Sequence, residues 1–86
     1  MTAEEIERRL QSALAPSTLV VQDDSHLHAG HAGAREGRHF TVTLTSPRYT
    51  GLARVARHRL VYHALGPLAS LGVHALAIVA RAPDEP

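Results

Sequence analysis

Seven histidines and no cysteine set the coordination chemistry open to this chain, and three of the seven, His26, His28 and His31, share one glycine-rich segment. Imidazole suits zinc, copper and iron, whereas iron–sulfur clusters and thiolate zinc sites are framed by cysteine sulfur. Alone, the chain can build neither of the latter. It can still lend nitrogen ligands to a centre whose sulfur another molecule supplies. Such a ligand must be neutral, and the ordinary imidazole pKa is about 6.5, so binding of this kind weakens as pH falls. His-x-His-x-x-His has no coordination geometry of its own, and a solvated polar loop is the plain alternative for these three side chains.

Other chemistry is thinner. Without a thiol, and with Ser12, Ser17, Ser25, Ser46 and Ser70 in no nucleophile motif, the residues give no support for covalent catalysis. Asp23, Asp24 and the loop histidines can be drawn as an acid–base set or an open zinc site, but their spacing suits a polar loop equally well. The expectation is a protein that is not an enzyme. Arg54, Arg57 and His58 cover adjacent parts of one predicted helix surface, with Arg48 shortly upstream. They could form a patch for phosphates or for an acidic partner, although an ordinary charged helix face has the same spacing. Gly30-His31-Ala32-Gly33 fits the letter of the Gly-x-x-Gly clamp of KH domains but falls between strands, where that clamp does not belong.

The elements that must position these residues follow from periodicity. Thr2 with Glu5 fits a capping box, and Ile6, Leu10 and Leu14 recur at four-residue intervals, so a helix is predicted over residues 3–14, ended by Pro16. Thr18 to Gln22 reads as a short strand before the Asp23-Asp24-Ser25 turn signal, and Asp23 to Gly37 shows no period. Phe40, Val42 and Leu44 alternate with His39, Thr41, Thr43 and Thr45, the pattern of a half-buried strand. Ser46-Pro47 breaks it, and Gly51 allows a bend before a helix from about Leu52 to Leu65. In that helix Val55, His58, Tyr62 and Leu65 form the apolar stripe, widened by Leu60 and Ala64, which makes His58 a packed core histidine.

A short helical turn through Leu68 and Leu71 is expected between Pro67 and Gly72. Val73 to Arg81 is apolar almost throughout, as for a strand covered on part of both faces. His74 begins it with the parity of Leu76 and Ile78. It can therefore be a rim histidine bonded to backbone, or a ligand whose end position leaves a ring nitrogen for a partner. His39 and His63 fall at solvent-facing or edge positions. A helical crossover makes the second and third strands parallel, giving an α+β single domain over residues 1–86, with a three-stranded mixed sheet, helices on one side and a frayed tail at 82–86.

Composition agrees with a small aliphatic core: 44% of residues are hydrophobic and only 3% aromatic, and disulfides cannot contribute. A formal net charge of +1 is too small to predict nucleic-acid binding on its own. Met1 to Glu5 resembles neither a signal nor a transit peptide, and no apolar run reaches bilayer length, so a soluble cytoplasmic protein without membrane contact is expected. Alone it would be a monomer or a weak homodimer.

Six segments carry a resemblance: Asp23-Asp24-Ser25, the histidine-bearing loop, His39-Phe40, Tyr49-Thr50-Gly51, Arg57-His58-Arg59-Leu60-Val61-Tyr62 and Val73-His74-Ala75-Leu76-Ala77-Ile78. They follow one another in the order and rough spacing of the BolA family, over nearly the whole chain. The resemblance implies an αββααβ fold similar to a type II KH domain, in agreement with the element order. It also implies a monothiol glutaredoxin partner in iron–sulfur trafficking, with a shared 2Fe–2S cluster to which the glutaredoxin gives its active-site cysteine and a bound glutathione thiolate. This chain's implied share is His74, from the His-Ala-Leu motif, and a loop histidine. Register from Asp23-Asp24-Ser25 assigns the latter to His28, with His31 as the alternative. No cluster is expected to stay tightly on the isolated chain. For some bacterial members the resemblance also implies transcriptional regulation through DNA. Arg48, Gly51, Arg54, Arg57 and Arg59 would then serve nucleic-acid or partner binding.

Overall fold

The computed structural model describes residues 1–25 and 38–85, and among these it has two helices, three strands and two short 3-10 turns. They are α1 (Ala3–Leu14), β1 (Thr18–Asp23), β2 (Arg38–Thr45), α2 (Arg54–Leu65) and β3 (Val73–Arg81), with 3-10 turns at Pro47–Tyr49 and Ala69–Leu71. The Thr2 hydroxyl accepts the Glu5 amide at 3.2 Å and starts α1, whose buried face is Ile6, Leu10 and Leu14. Ala15 ends it in the left-handed region at φ 44°. The last carbonyls of α1 are then taken by side chains: Ser46 Oγ donates to Leu14 O at 2.7 Å and Arg48 Nη1 to Ala13 O at 3.1 Å.

The sheet has the order β1-β2-β3, with β1 antiparallel and β3 parallel to the central β2. Phe40, Val42 and Leu44 are buried under the helices, as their alternation predicts, and join Ile6, Leu10, Leu14, Tyr49, Val61, Leu65, Val73 and Ala82 in one core. This is the expected α+β architecture. The third helical element of the αββααβ order is the single 3-10 turn Ala69–Leu71, closed by Gly72 at φ 78°.

Three expectations are corrected. The inward face of α2 is Arg57, Val61 and Leu65, while Val55 and Tyr62 are 60% and 41% exposed and His58 is only half-buried. An apolar stripe misplaces the helix face because the chief buried residue on it is charged. The helix also starts at Arg54, since the Leu52 amide is held by the Tyr49 carbonyl in the preceding turn. Next, β3 is covered on one face: Leu76, Ile78 and Ala80 are half-buried and the residues alternating with them are exposed. Finally, Ala82 to Glu85 do not fray. Ala82 is 1% exposed, and Glu85 folds back so that its amide donates to Ala82 O at 3.1 Å and its carboxylate accepts from Arg57.

Candidate functional site

His74 owes its position to an irregularity in the pairing of β2 with β3. Arg38 pairs with Val73, but His39 pairs with Ala75, so His74 is the extra residue of a bulge. Val73 faces the core and Ala75 the open face, which takes His74 out of the parity it shares with Leu76 and Ile78 in sequence. The expected inward orientation is corrected: His74 is exposed, and its ring lies 5.2 Å from the ring of His39, tilted by 54°. His39, expected at a solvent-facing or edge position, is half-buried. It is the neighbour that sequence reasoning missed, although parallel pairing of two strands that both carry a histidine as second residue could have signalled it.

Asp23-Asp24-Ser25 works as a clasp at the same end of the sheet. Asp23 Oδ1 accepts the Ser25 amide at 2.9 Å, and its other oxygen pairs with Arg38 Nη1 at 2.9 Å. Asp24 accepts the Thr41 hydroxyl, and Ser25 Oγ accepts the His39 amide at 3.1 Å. Hydrogen bonding by Ser25, with the charge of Arg38 added, holds the Asp23 carboxyl below the usual carboxylate range. The clasp fixes both chain ends of the histidine-bearing segment, Ser25 and Arg38, at the end of the sheet where β3 begins with Val73 and His74. His26, His28 and His31, with Gly30 and Gly33, lie outside the described residues.

The donors among the described residues suit a contribution rather than a complete centre. Among the described residues no group of three or more His, Asp or Glu side chains could hold a metal ion. His74 can offer nitrogen from an exposed position at the strand end, and the chain has no cysteine thiolate to offer. That inventory fits one share of a cluster whose thiolates come from another molecule.

The arginines predicted to form a surface patch divide. Arg57 is 9% exposed and spent internally: Nε donates to Leu52 O at 2.8 Å, Nη1 to Ala80 O at 3.1 Å, and Nη1 and Nη2 grip Glu85 bidentately at 2.5 and 2.8 Å. Arg57 therefore leaves the predicted patch, because burial without these partners would be prohibitive for a charge. Its hydrogen bonds pull the Glu85 carboxyl down to about 2, with the Ala82 amide assisting. The guanidinium also lies 5.8 Å over the ring of Tyr49, whose buried hydroxyl is pushed up by desolvation. Arg48 braces α1, and Gly51 turns the chain at φ 79°. Arg54 and Arg59 are exposed on α2. A cleft of about 620 Å³ runs between α2 and β3, with Arg54, His58, Ile78 and Arg81 along it and Arg57 with Glu85 in its wall.

Against known proteins, residues 10–85 match the family model described as BolA-like protein. The chain is 42% identical over 87 residues to the chloroplastic protein BOLA1 of Arabidopsis thaliana, with 96% of this chain covered but only 54% of that protein, so it spans about half the relative's length. It is also 42% identical over 78 residues to the DNA-binding transcriptional regulator BolA of Escherichia coli K12, covering 91% of this chain and 72% of the relative. The solved structure of BolA1 from Arabidopsis thaliana superposes with a TM-score of 0.83 at 41% identity, covering all of this chain and 97% of that one.

Proposed function

This chain belongs to the BolA-like family, and on that premise we propose that it is a non-enzymatic adaptor that docks a monothiol glutaredoxin and completes, through histidine nitrogen, the ligation of a shared 2Fe–2S cluster. The observation that carries the reading is the exposed, bulge-set His74 at the sheet end where the histidine-bearing segment is clasped. His74 is one ligand; the second is His28, with His31 as the alternative. When bound, the cluster supplies transferable iron and sulfide and a redox centre, whose potential rises where imidazole replaces thiolate. The chain's own residues do the positioning. The bulge sets His74, and Asp23, Asp24 and Ser25 hold the ends of the segment that carries the other donor. Cytoplasmic residence is part of this proposal; no helix among the described residues is long and apolar enough to cross a membrane.

Reconstituting iron and sulfide with glutathione, a monothiol glutaredoxin and this protein should give a visible circular dichroism spectrum distinct from that of the glutaredoxin alone. His74→Ala should abolish the difference, and of His28→Ala and His31→Ala only one should do the same. An unaltered spectrum with His74→Ala, in a variant whose far-ultraviolet signal shows a folded chain, overturns the reading.

A DNA-binding role is the second reading, and it draws on the regulator named among the relatives and on Arg54 and Arg59, exposed on α2 beyond the Gly51 turn. DNA affinity would survive His74→Ala and fall steeply with added salt, as phosphate contacts release counterions.

A further inference from the structure

Strand β3 forms an edge of the sheet, with β2 as its one strand neighbour among the described residues. The Arg81 carbonyl accepts the Ser46 amide at 3.0 Å, so Arg81, Val79, Ala77 and Ala75 turn their backbone groups toward β2. Leu76, Ile78 and Ala80 therefore present theirs at the outer edge. Arg57 confirms the direction by reaching across from α2 to the Ala80 carbonyl. From Ala75 to Ala80 the edge carries no proline, no charge and no bulge, the devices that ordinarily keep an edge strand from pairing.

That edge is one wall of the cleft and α2 is the other, and the cleft is basic. Arg54 on α2 and Arg81 at the end of β3 line it, together with His58 and the apolar Leu52 and Ile78. Glu85, the one acidic residue along it among the described residues, is already gripped in the fork of Arg57. We propose that this cleft receives an extended acidic segment of a partner protein, which adds to the sheet beside β3 and sets its carboxylates against Arg54 and Arg81. Glu85 shows within the chain how a carboxylate is held there. Main-chain pairing with Leu76 and Ile78 supplies affinity, and the flanking arginines supply the preference for acidic side chains. Nucleic acid would match the charge but brings no amide ladder for the strand edge. A second copy of this chain would bring its own Arg54 and Arg81, opposing like charges. The β3 residues that line the cleft, Ile78 to Arg81, lie about 13 to 23 Å along the strand from His74 at the usual rise per residue, and the proposal draws on none of the histidines as ligands.

The test uses the whole chain and a short peptide of alternating valine and glutamate, with its lysine counterpart and a version N-methylated along one edge. In amide-resolved NMR titrations the glutamate peptide should shift and protect the Leu76 and Ile78 amides. The lysine and N-methylated peptides should not, and Arg54→Glu should weaken the glutamate peptide about tenfold. Equal binding of the lysine or N-methylated peptide, shifts confined to other residues, or no binding at millimolar peptide each overturns the proposal. So does concentration-dependent protection of Leu76 and Ile78 in the chain alone, which would make a second copy the occupant, or the same shifts produced by duplex DNA but by no peptide.

Discussion

Glu85 is a surface carboxylate by sequence and a structural one by position. Its bidentate bond to Arg57, reinforced by the Ala82 amide, holds its carboxyl at about 2 against an ordinary 4.5. A group whose folded pKa is depressed contributes stability above the unfolded pKa and loses it as pH falls through the folded one. The contribution is thus complete above about pH 4.5 and drains away between there and about pH 2. Thermal unfolding of Glu85→Gln should show a lower melting temperature than the parent at neutral pH and a gap that closes toward pH 2; a gap independent of pH would refute the assignment. Nothing local foretold this pair. Arg57 and Glu85 stand 28 positions apart, and a C-terminal Asp-Glu-Pro is ordinarily a solvated end. The same long-range pairing hid the inward face of α2, because a buried arginine looks polar until its acceptors are known. His74 was legible in type and strand position, but its exposure was not: a bulge is a property of two paired strands, and single-strand parity cannot contain it.

The elements themselves were easier to read, since each is set by neighbours in the chain. α1 matched its expected span because Thr2, Ile6, Leu10 and Leu14 carry cap and face together, and β2 matched because its alternation is unbroken from His39 to Thr45. The joints between elements were not readable, and Ser46 is the clearest case. It looks like a turn residue before Pro47. In the fold it is 0% exposed, its hydroxyl donating to the last carbonyl of α1 while accepting the Arg48 amide at 3.1 Å. Ser46→Ala removes both bonds and leaves a buried carbonyl unsatisfied, a loss of about 2 kcal/mol. Urea unfolding should register that loss as a lower midpoint with an unchanged slope. A change within a few tenths of a kcal/mol would mean that the α1–β2 joint is held by packing alone.

At the scale of the whole molecule, β3 carries both proposed surfaces, with His74 at its start and Arg81 at its finish. Parallel pairing with β2 puts the strand's beginning beside the clasped ends of the histidine-bearing segment, and the crossover through α2 lays a basic helix along its end. Residues so separated ordinarily behave additively, whereas coupling requires contact or a common network. The Arg57–Glu85 pair belongs to the cleft end, and the His39–His74 contact belongs to the other. His74→Ala should therefore leave acidic-peptide affinity unchanged, and Arg54→Glu should leave the iron-dependent circular dichroism unchanged. The double variant should show the sum of the two single effects. If Arg54→Glu also erased the glutaredoxin-dependent spectrum, the basic cleft and the histidine end would be parts of one docking surface, and β3 would be a single contact rather than two.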